Sequence, residues 1–287
     1  MDFQNFNIFP IQLDDKSIER YSKKLKIWFP KTSLNSRKFE VTSLVWQYIK
    51  NPEGFAIGYD AFYEGQLVAH YACIPTTIMG ASGSMKALLS LNTATSPQHY
   101  GKGLFTKLAL ETFYIAKQMG YSCIYGVANK NSTPGLVRKL GFDLVAPLEV
   151  LIGIGPIPPQ IPNSSFKFQR VWNQASLNWR CSNPANQIRA LQNANTSLYY
   201  ADTDYPFISA YDVRLGHNFS NHLLISNKFK PKLVLGLFPQ GVPSTFFRIP
   251  NFLKPSPLNF IFKSLDPSVK TPDRQGIHFT FLDFDAY

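Results

Sequence analysis

The sequence predicts an α/β (α+β) fold with a mixed central sheet and flanking helices in the first half of its 287 residues. Between residues 50 and 150, segments typical of strands and helices follow the order strands, helix, strand, helix, strand, which is an order found in α/β and α+β domains. The composition changes near residue 150, because 14 of the 21 prolines follow residue 155 and no Glu follows Glu149. We therefore predict two domains, residues 1–155 and residues 156–287.

The composition excludes several classes of protein. Hydrophobic residues make up 45% of the chain and charged residues only 16%, so the chain is too apolar to be disordered. No apolar run reaches the roughly 18 residues of a transmembrane helix, and residues 1–5 lack the basic and apolar regions of a signal peptide. Three widely spaced cysteines without a Cys-x-x-Cys pair favour a reducing compartment. We predict a cytoplasmic protein without a membrane span and without a metal site.

The formal net charge of +11 is spread along the chain rather than concentrated. Residues 1–155 contribute 16 − 11 = +5, and residues 156–287 contribute 13 − 7 = +6, without a block of Lys and Arg. This distribution favours a phosphate-bearing small ligand and argues against a long nucleic-acid track.

The first predicted element is an amphipathic helix over Leu13–Lys26, where apolar residues recur at helical spacing. Two strands, Phe55–Tyr63 and Gln66–Pro75, follow on either side of the turn Glu64–Gly65. A third strand, Lys86–Thr95, ends before a Ser-Pro pair, because proline cannot continue a central ladder.

The following elements alternate between helix and strand. Glycines end both helices, in the position that a left-handed C-cap requires. The elements are a helix over Leu104–Met119, a strand over Tyr121–Ala128, a helix from Thr133 or Pro134 to Leu140, and a strand from Phe142 onward.

A glycine-containing loop joins the third strand to the long helix. Free N–H groups at a helix N-terminus, together with the helix dipole, form a site for anions. Gly101 and Gly103 allow the backbone to approach such a ligand closely. The loop alone leaves two interpretations open, a phosphate-binding loop and an ordinary strand–helix turn.

A second segment favours the first interpretation. Residues 129–142 contain an Asn-rich stretch and a short helix that ends in Lys-Leu-Gly-Phe. Together with the loop Pro97–Gly103, this segment resembles the GNAT superfamily of acyl-CoA-dependent N-acyltransferases over residues 50–150. The form Gly-Leu-Phe-Thr-Lys-Leu is similar to members that modify sugars for polysaccharide biosynthesis. The resemblance implies the GNAT fold and an acetyl-CoA, or another acyl-CoA, as the co-substrate.

The resemblance implies that three segments bind the acyl-CoA. Their residues are Thr93, Ala94, Thr95, Gln98, Tyr100, Gly101, Lys102, Gly103, Leu104, Phe105, Thr106, Asn129 and Asn131. The loop departs from the family pattern, because Tyr100 occupies the family's Arg/Gln position when Gly101–Gly103 is aligned on its glycines. Aligning Gln98 there restores the residue type but shifts the register by two residues. Asn129 and Asn131 fit a simple turn equally well.

The same resemblance implies the oxyanion-binding groups and the base. Backbone N–H groups around Asn92 would stabilise the oxyanion of the thioester carbonyl. An ammonium acceptor must lose a proton to a base. His70 on the neighbouring strand is the first candidate for this base, with Glu40 and His99 as alternatives. A structural role for His70 is the competing interpretation.

The usual proton donor to the leaving thiolate is missing. Many members of the family place a Tyr four residues before the Gly of Lys-Leu-Gly-Phe, where this chain has Val137. A thiol with a pKa of about 8.5 leaves acceptably as the thiolate, so this departure does not exclude catalysis. Tyr125 on the preceding strand is the substitute candidate, and a buried structural Tyr is the alternative.

The second half carries a weak repeat of the first. Trp46–Pro52 is echoed by Trp179–Pro184 with a spacing that differs by one residue, and chance similarity is the alternative. With the apolar runs that follow, it predicts a degenerate second GNAT-like unit that forms one wall of the acceptor cleft. The apolar runs are Leu223–Ile225, Leu233–Leu235 and Ile277–Phe284. Candidate contacts to the acceptor are Trp179, Arg180, Tyr199, Tyr200 and Arg214.

These observations predict an acyl-CoA-dependent N-acyltransferase for a small polar acceptor such as an amino sugar, which a nucleotide could carry. A catalytically silent CoA-binding protein of the same fold is the alternative, because Val137 replaces the usual acid. A nucleic-acid-binding module is a third hypothesis, which the dispersed charge disfavours. The sequence does not determine the oligomeric state.

Overall fold

A computed structural model gives the fold. It describes residues 5–29, 32–81, 83–157, 166–192, 196–203, 205, 207–215, 231–241, 244–250 and 257–285. Pro158 and Pro159, at the start of the Pro-rich second half, and the apolar run Leu223–Ile225 lie outside the described residues. No helix in the described ranges is long and apolar enough to cross a bilayer.

The first part of the chain contains every helix and strand that the sequence predicts for it. Its elements are β1 Asn7–Pro10, α1 Asp15–Trp28, α2 Ser33–Lys38, α3 Val41–Tyr48, β2 Ile57–Tyr63, β3 Gln66–Gly80, β4 Gly83–Thr95, α4 Leu104–Gln118, β5 Cys123–Ala128, α5 Thr133–Leu140, β6 Asp143–Pro147 and β7 Glu149–Gly153.

The second part is built mainly of strands. Its elements are β8 Phe168–Arg170, α6 Gln174–Cys181, β9 Arg189–Gln192, β10 Thr196–Asp202, β11 Ser209–Leu215, β12 Lys232–Leu237, β13 Phe246–Arg248, β14 Asn259–Ser264 and β15 Ile277–Thr280. The strands of both parts are linked in one sheet with the order β6-β14-β5-β4-β3-β8-β15-β12-β11-β10-β9 among the described residues. The remaining strands, β1, β2, β7 and β13, pair at its sides.

β3 continues past Pro75, where sequence reasoning ends it. A proline in a strand offers no N–H for one ladder bond and is therefore usually confined to edges. The neighbouring strands leave room for it, because β2 pairs with β3 only as far as Cys73 and β8 pairs only from Ile78. In the gap, Asn51 donates a hydrogen bond from Nδ2 to the carbonyl oxygen of Pro75 at 2.9 Å.

The parallel pairing of β4 with β5 ends early. It runs from Ala87 opposite Cys123 to Ser90 opposite Gly126. β4 then continues to Thr95 with β3 as its partner, while α4 makes the connection back to β5. The carboxyl ends of β4 and β5 therefore separate. The loop that leaves β4 beside this opening leads to the N-terminus of α4.

β14 connects the two parts of the chain. It lies between β5 and β6, antiparallel to both, with Asn259 opposite Ala128 on one side and Pro147 on the other. A strand from beyond residue 155 thus completes the sheet of the first part. The boundary at residue 155 stays a prediction, and any division of the chain has to leave β14 within the first sheet.

The repeated Trp segments meet each other in space. The indole rings of Trp46 in α3 and Trp179 in α6 stack with centroids 4.6 Å apart. Each indole Nε1 donates a hydrogen bond to the other residue's carbonyl oxygen, at 2.7 and 2.9 Å. Asn51 and Asn183, which precede the two prolines, each accept a hydrogen bond from the N–H two residues later. The two segments are thus in reciprocal contact, and the second, degenerate unit stays a prediction.

We expect Trp179→Phe to destabilise the protein by about 1–3 kcal/mol, because the buried carbonyl of Trp46 loses its donor. Urea denaturation measures the change in free energy of unfolding. The control is Phe247→Leu on a ring that is 70% exposed, and this variant should stay within about 0.5 kcal/mol of the wild type. Equal stability of both variants would contradict a structural role for the Trp pair.

Candidate active site

A cleft of about 640 Å³ opens where β4 and β5 separate. Its walls are the end of β4, the glycine loop with the first turn of α4, and the segment from β5 into α5. The carboxyl ends of parallel strands commonly form ligand sites. Most of the residues predicted to bind acyl-CoA line this cleft, namely Thr93, Ala94, Thr95, Tyr100, Gly101, Gly103, Leu104, Phe105, Thr106, Asn129 and Asn131.

Two residues predicted for acyl-CoA binding do not line the cleft. Gln98 lies in a 3₁₀ turn over Pro97–His99, and its side-chain oxygen accepts a hydrogen bond from Ser96 Oγ at 3.2 Å. Lys102 is exposed, with Nζ 5.7 Å from the ring centroid of Phe6. Tyr100, rather than Gln98, therefore occupies the wall of the cleft.

The glycine loop has the conformation that glycine favours. Gly101 and Gly103 both have a φ of +77°, in the left-handed region. Gly103 is the N-cap of α4, and its carbonyl accepts the hydrogen bond from Lys107 N at 3.0 Å. The N–H groups of the first turn have no partner within a helix, so they are donors available at the cleft wall. The positive end of the helix dipole adds to their attraction for an anion.

The opposite wall is organised by Asn129. Its Oδ1 accepts hydrogen bonds from the backbone N–H groups of Asn131 and Ser132, at 2.9 and 3.0 Å. Its carbonyl accepts a hydrogen bond from Thr133 Oγ1 at 2.7 Å, where α5 begins. The side chain of Asn129 thus shapes the loop before α5, which supports the turn interpretation for this residue. Asn131 is exposed at the rim.

Asn92 lies at a β-bulge in β4. Ala94 pairs with His70 and Leu91 pairs with Ala72, so Asn92 and the following residue together oppose Tyr71. Asn92 has a φ of +48°, which is uncommon for a residue other than glycine. Of the three residues predicted for catalysis, it is the one that lines the cleft.

His70, the first candidate for the base, is enclosed in the core. Its Nδ1 lies 2.6 Å from Asp60 Oδ1, and its Nε2 lies 2.9 Å from the hydroxyl oxygen of Tyr48. The residue is 1% exposed and does not line the cleft. Neither ring nitrogen is therefore in a position to contact an acceptor in the cleft, and the predicted role of His70 as a base stays a prediction.

Of the two other base candidates, His99 is the one that lines the cleft. Glu40 forms an ion pair with Lys26 at 2.7 Å and lies outside the cleft. Burial, with a smaller contribution from Lys102, lowers the pKa of His99. Its Nδ1 is buried without a hydrogen-bond partner among the described residues. A neutral imidazole with a lowered pKa remains able to accept a proton.

Tyr125 lies away from the cleft. Its ring packs against Phe168, Phe260 and Phe279, with centroid distances of 5.1, 6.2 and 6.1 Å. Burial raises its pKa above the usual value for tyrosine. It does not line the cleft, and neither does Val137. Its predicted role as the acid has no support from this position.

The residues predicted to contact an acceptor from the second half lie outside the cleft. Trp179 stacks on Trp46, Arg180 donates to carbonyl oxygens near the end of the chain, and Arg214 binds Asp212 and Asp283. Sequence reasoning missed several lining residues, among them Trp28, Ser132, Lys139 and Ile261. Lys139 belongs to the Lys-Leu-Gly-Phe motif and could have been found there, whereas no local pattern places Ile261 of β14 at the cleft.

Comparison with known domains agrees with this architecture. Residues 32–145 match the family model described as an acetyltransferase (GNAT) domain. The prediction of an acyltransferase domain is thereby confirmed for residues 32–145. No curated protein matches the sequence.

Solved structures share the fold over most of the chain. A GCN5-related N-acetyltransferase from Kribbella flavida has a TM-score of 0.62 at 8% identity, covering 93% of this chain and 73% of that one. Eis1 from Mycobacterium abscessus has a TM-score of 0.58 at 11% identity, covering 91% and 74%. A probable N-acyltransferase from Enterococcus faecalis has a TM-score of 0.57 at 8% identity, covering 91% and 73%. These similarities confirm the predicted fold class.

We expect Asn129→Ala to lower the free energy of unfolding by about 1 kcal/mol, because the loop before α5 loses its side-chain acceptor. The neighbouring variant Asn131→Ala is the matched control and should stay within about 0.5 kcal/mol of the wild type. Chemical denaturation measures both. A loss of stability in Asn131→Ala but not in Asn129→Ala would contradict the role given to Asn129.

Proposed function

We propose that this GNAT acetyltransferase domain transfers an acetyl group from acetyl-CoA to the amine of a small polar acceptor. The observation that carries the proposal is the opening between β4 and β5. It brings the ends of two strands, the glycine loop at the N-terminus of α4 and the segment before α5 to one cleft of about 640 Å³. An amino sugar, free or linked to a nucleotide for polysaccharide biosynthesis, is the acceptor that we propose.

The residues of the cleft fit the pyrophosphate of CoA. No Asp or Glu lines it in the part of the chain that the structure describes, whereas Lys139 does. The glycine loop and the first turn of α4 supply backbone N–H donors, which bind phosphate oxygens well. The net charge of +11 adds a general attraction for an anionic ligand.

The proposed reaction needs little chemistry from side chains. The acceptor nitrogen forms a bond to the thioester carbonyl carbon, the bond from carbon to sulfur breaks, and the proton lost by nitrogen is balanced by protonation of the thiolate. Holding both reactants in one cleft supplies much of the rate. A thiolate leaves without an acid because the pKa of a thiol is only about 8.5. The reaction therefore does not require an acid at the position of Tyr125 or Val137, neither of which lines the cleft.

A catalytically silent CoA-binding protein is the second candidate. It is favoured by the enclosure of His70 and Tyr125, since neither predicted acid–base residue opens on the cleft. For either function we propose a cytoplasmic location, which the three free cysteines of the described chain support.

Isothermal titration with acetyl-CoA tests the binding site. We expect Thr106→Glu to raise the Kd at least about 10-fold, because a carboxylate in the first turn of α4 repels the pyrophosphate. An acidic residue in this turn stabilises a helix, so the variant should remain folded. Thr106→Gln is the control, because glutamine has the shape of glutamate without its charge. This variant should change the Kd by less than about 3-fold.

Thiol release from acetyl-CoA, measured across a panel of amines, amino sugars and nucleotide-linked amino sugars, tests the transfer. Failure of the wild type to bind acetyl-CoA at millimolar concentration would contradict both candidate functions. Binding without thiol release for any member of the panel would favour the silent protein.

A further inference from the structure

A buried chain of hydrogen bonds leads from the cleft into the core. Asn92 Nδ2 lies 3.0 Å from the hydroxyl oxygen of Tyr48, which lies 2.9 Å from His70 Nε2. His70 Nδ1 lies 2.6 Å from one carboxylate oxygen of Asp60. The hydroxyl of Tyr21 lies 2.6 Å from the other oxygen. Of these five residues, Asn92 is the one that lines the cleft.

The members of this chain are almost completely withdrawn from water. Tyr48 is 0%, His70 1% and Asp60 2% exposed. Burying a carboxylate is costly unless hydrogen bonds compensate for its lost hydration. Apolar side chains of similar volume often stabilise a core as well or better. Stability alone therefore does not account for this chain of hydrogen bonds.

Each member of the chain has a defined partner. Asp60 accepts a hydrogen bond from the hydroxyl of Tyr21 at one carboxylate oxygen, and its other oxygen lies beside Nδ1 of His70. Tyr48 lies beside Nε2 of His70 and accepts at its oxygen a hydrogen bond from Asn92 Nδ2. Burial raises the pKa of Tyr48 and of Tyr21, which keeps both hydroxyls protonated as donors.

The contacts of Nδ2 fix the orientation of the Asn92 carboxamide. One Nδ2 proton goes to Tyr48, and the other goes to Gln47 Oε1 at 2.6 Å. No hydrogen bond within the described residues uses Oδ1 of Asn92, so this oxygen is the side-chain polar atom that remains for a ligand in the cleft that Asn92 lines. The bulge and the φ of +48° bring this residue to the point where β4 and β5 have separated. Backbone strain of this kind tends to occur at functional sites.

We propose that Tyr48, His70 and Asp60 are positioning residues that hold the Asn92 carboxamide with its oxygen towards the cleft. There Oδ1 accepts a hydrogen bond from an N–H of the acceptor amine and directs the nitrogen lone pair at the thioester carbonyl. This inference rests on the proposed acetyl transfer. His70 then acts through Tyr48 and Asn92, without taking a proton from the acceptor.

The kinetic test uses Tyr48→Phe, which keeps the ring and removes the hydroxyl. With acetyl-CoA and the amine of the panel that reacts fastest, we expect kcat to fall about 10- to 100-fold, because misplacement of a positioning group by about 1 Å has effects of this size. The Kd for acetyl-CoA should stay within about 2-fold. In an Asn92→Ala background, Tyr48→Phe should change kcat by less than about 3-fold, because Tyr48 acts through Asn92. Independent effects that multiply in the double variant would overturn the inference.

Thr76→Val is the matched control. Thr76 lies on β3, the strand of His70, is 2% exposed and donates a buried hydrogen bond to the Ala87 carbonyl, but it does not line the cleft. This variant should be destabilised comparably and keep kcat within about 3-fold of the wild type. A similar fall of kcat in Thr76→Val would show that Tyr48→Phe acts through general loss of stability, and would overturn the inference.

A readout without turnover separates this inference from the proposed function. In ¹⁵N-labelled protein, the Nδ2 protons of Asn92 should exchange slowly with solvent in the wild type and in Thr76→Val. They should exchange much faster in Tyr48→Phe. If the wild type neither binds acetyl-CoA nor transfers acetyl groups, the proposed function fails while exchange still reports whether Tyr48 holds Asn92. Equal protection in Tyr48→Phe and the wild type would overturn the positioning role.

Discussion

The candidate active site depends on the separation of β4 from β5 beyond the pair Ser90–Gly126. Each strand keeps a partner on its outer edge, because β4 remains paired with β3 as far as Thr95 and β5 remains paired with β14 as far as Ala128. The strands are therefore held rigidly while their inner edges face the cleft. Backbone groups on such edges need hydrogen-bond partners, and a ligand in the cleft can provide them.

The second part of the chain contributes to this arrangement directly. β14 supplies the outer partner of β5, and its Ile261 reaches the wall of the cleft. The Trp46–Trp179 contact joins α6 to α3, the helix that carries Gln47 and Tyr48. The residues that orient Asn92 are thus supported from both parts. The second part acts on the site through the sheet and through α3, rather than by placing the predicted acceptor-binding side chains in the cleft.

Sequence reasoning succeeded where the signal is local. The turn Glu64–Gly65 has positive φ at both residues, as a two-residue hairpin turn requires, and the loop glycines lie at the start of α4 as expected. It failed where partners are distant in sequence. The insertion of β14 between β5 and β6 joins segments more than a hundred residues apart. His70 was identified by residue type, but its enclosure by Asp60 and Tyr48 follows from strand register and helix packing, which no local pattern encodes.

A crystal structure of the protein with bound CoA tests the central claim most directly. We expect the pyrophosphate to lie against the glycine loop and the first turn of α4, between Gly101 and Thr106. The pantetheine should pass between β4 and β5, with its sulfur near Asn92. CoA bound elsewhere, with the opening between β4 and β5 closed or filled by side chains, would contradict the account.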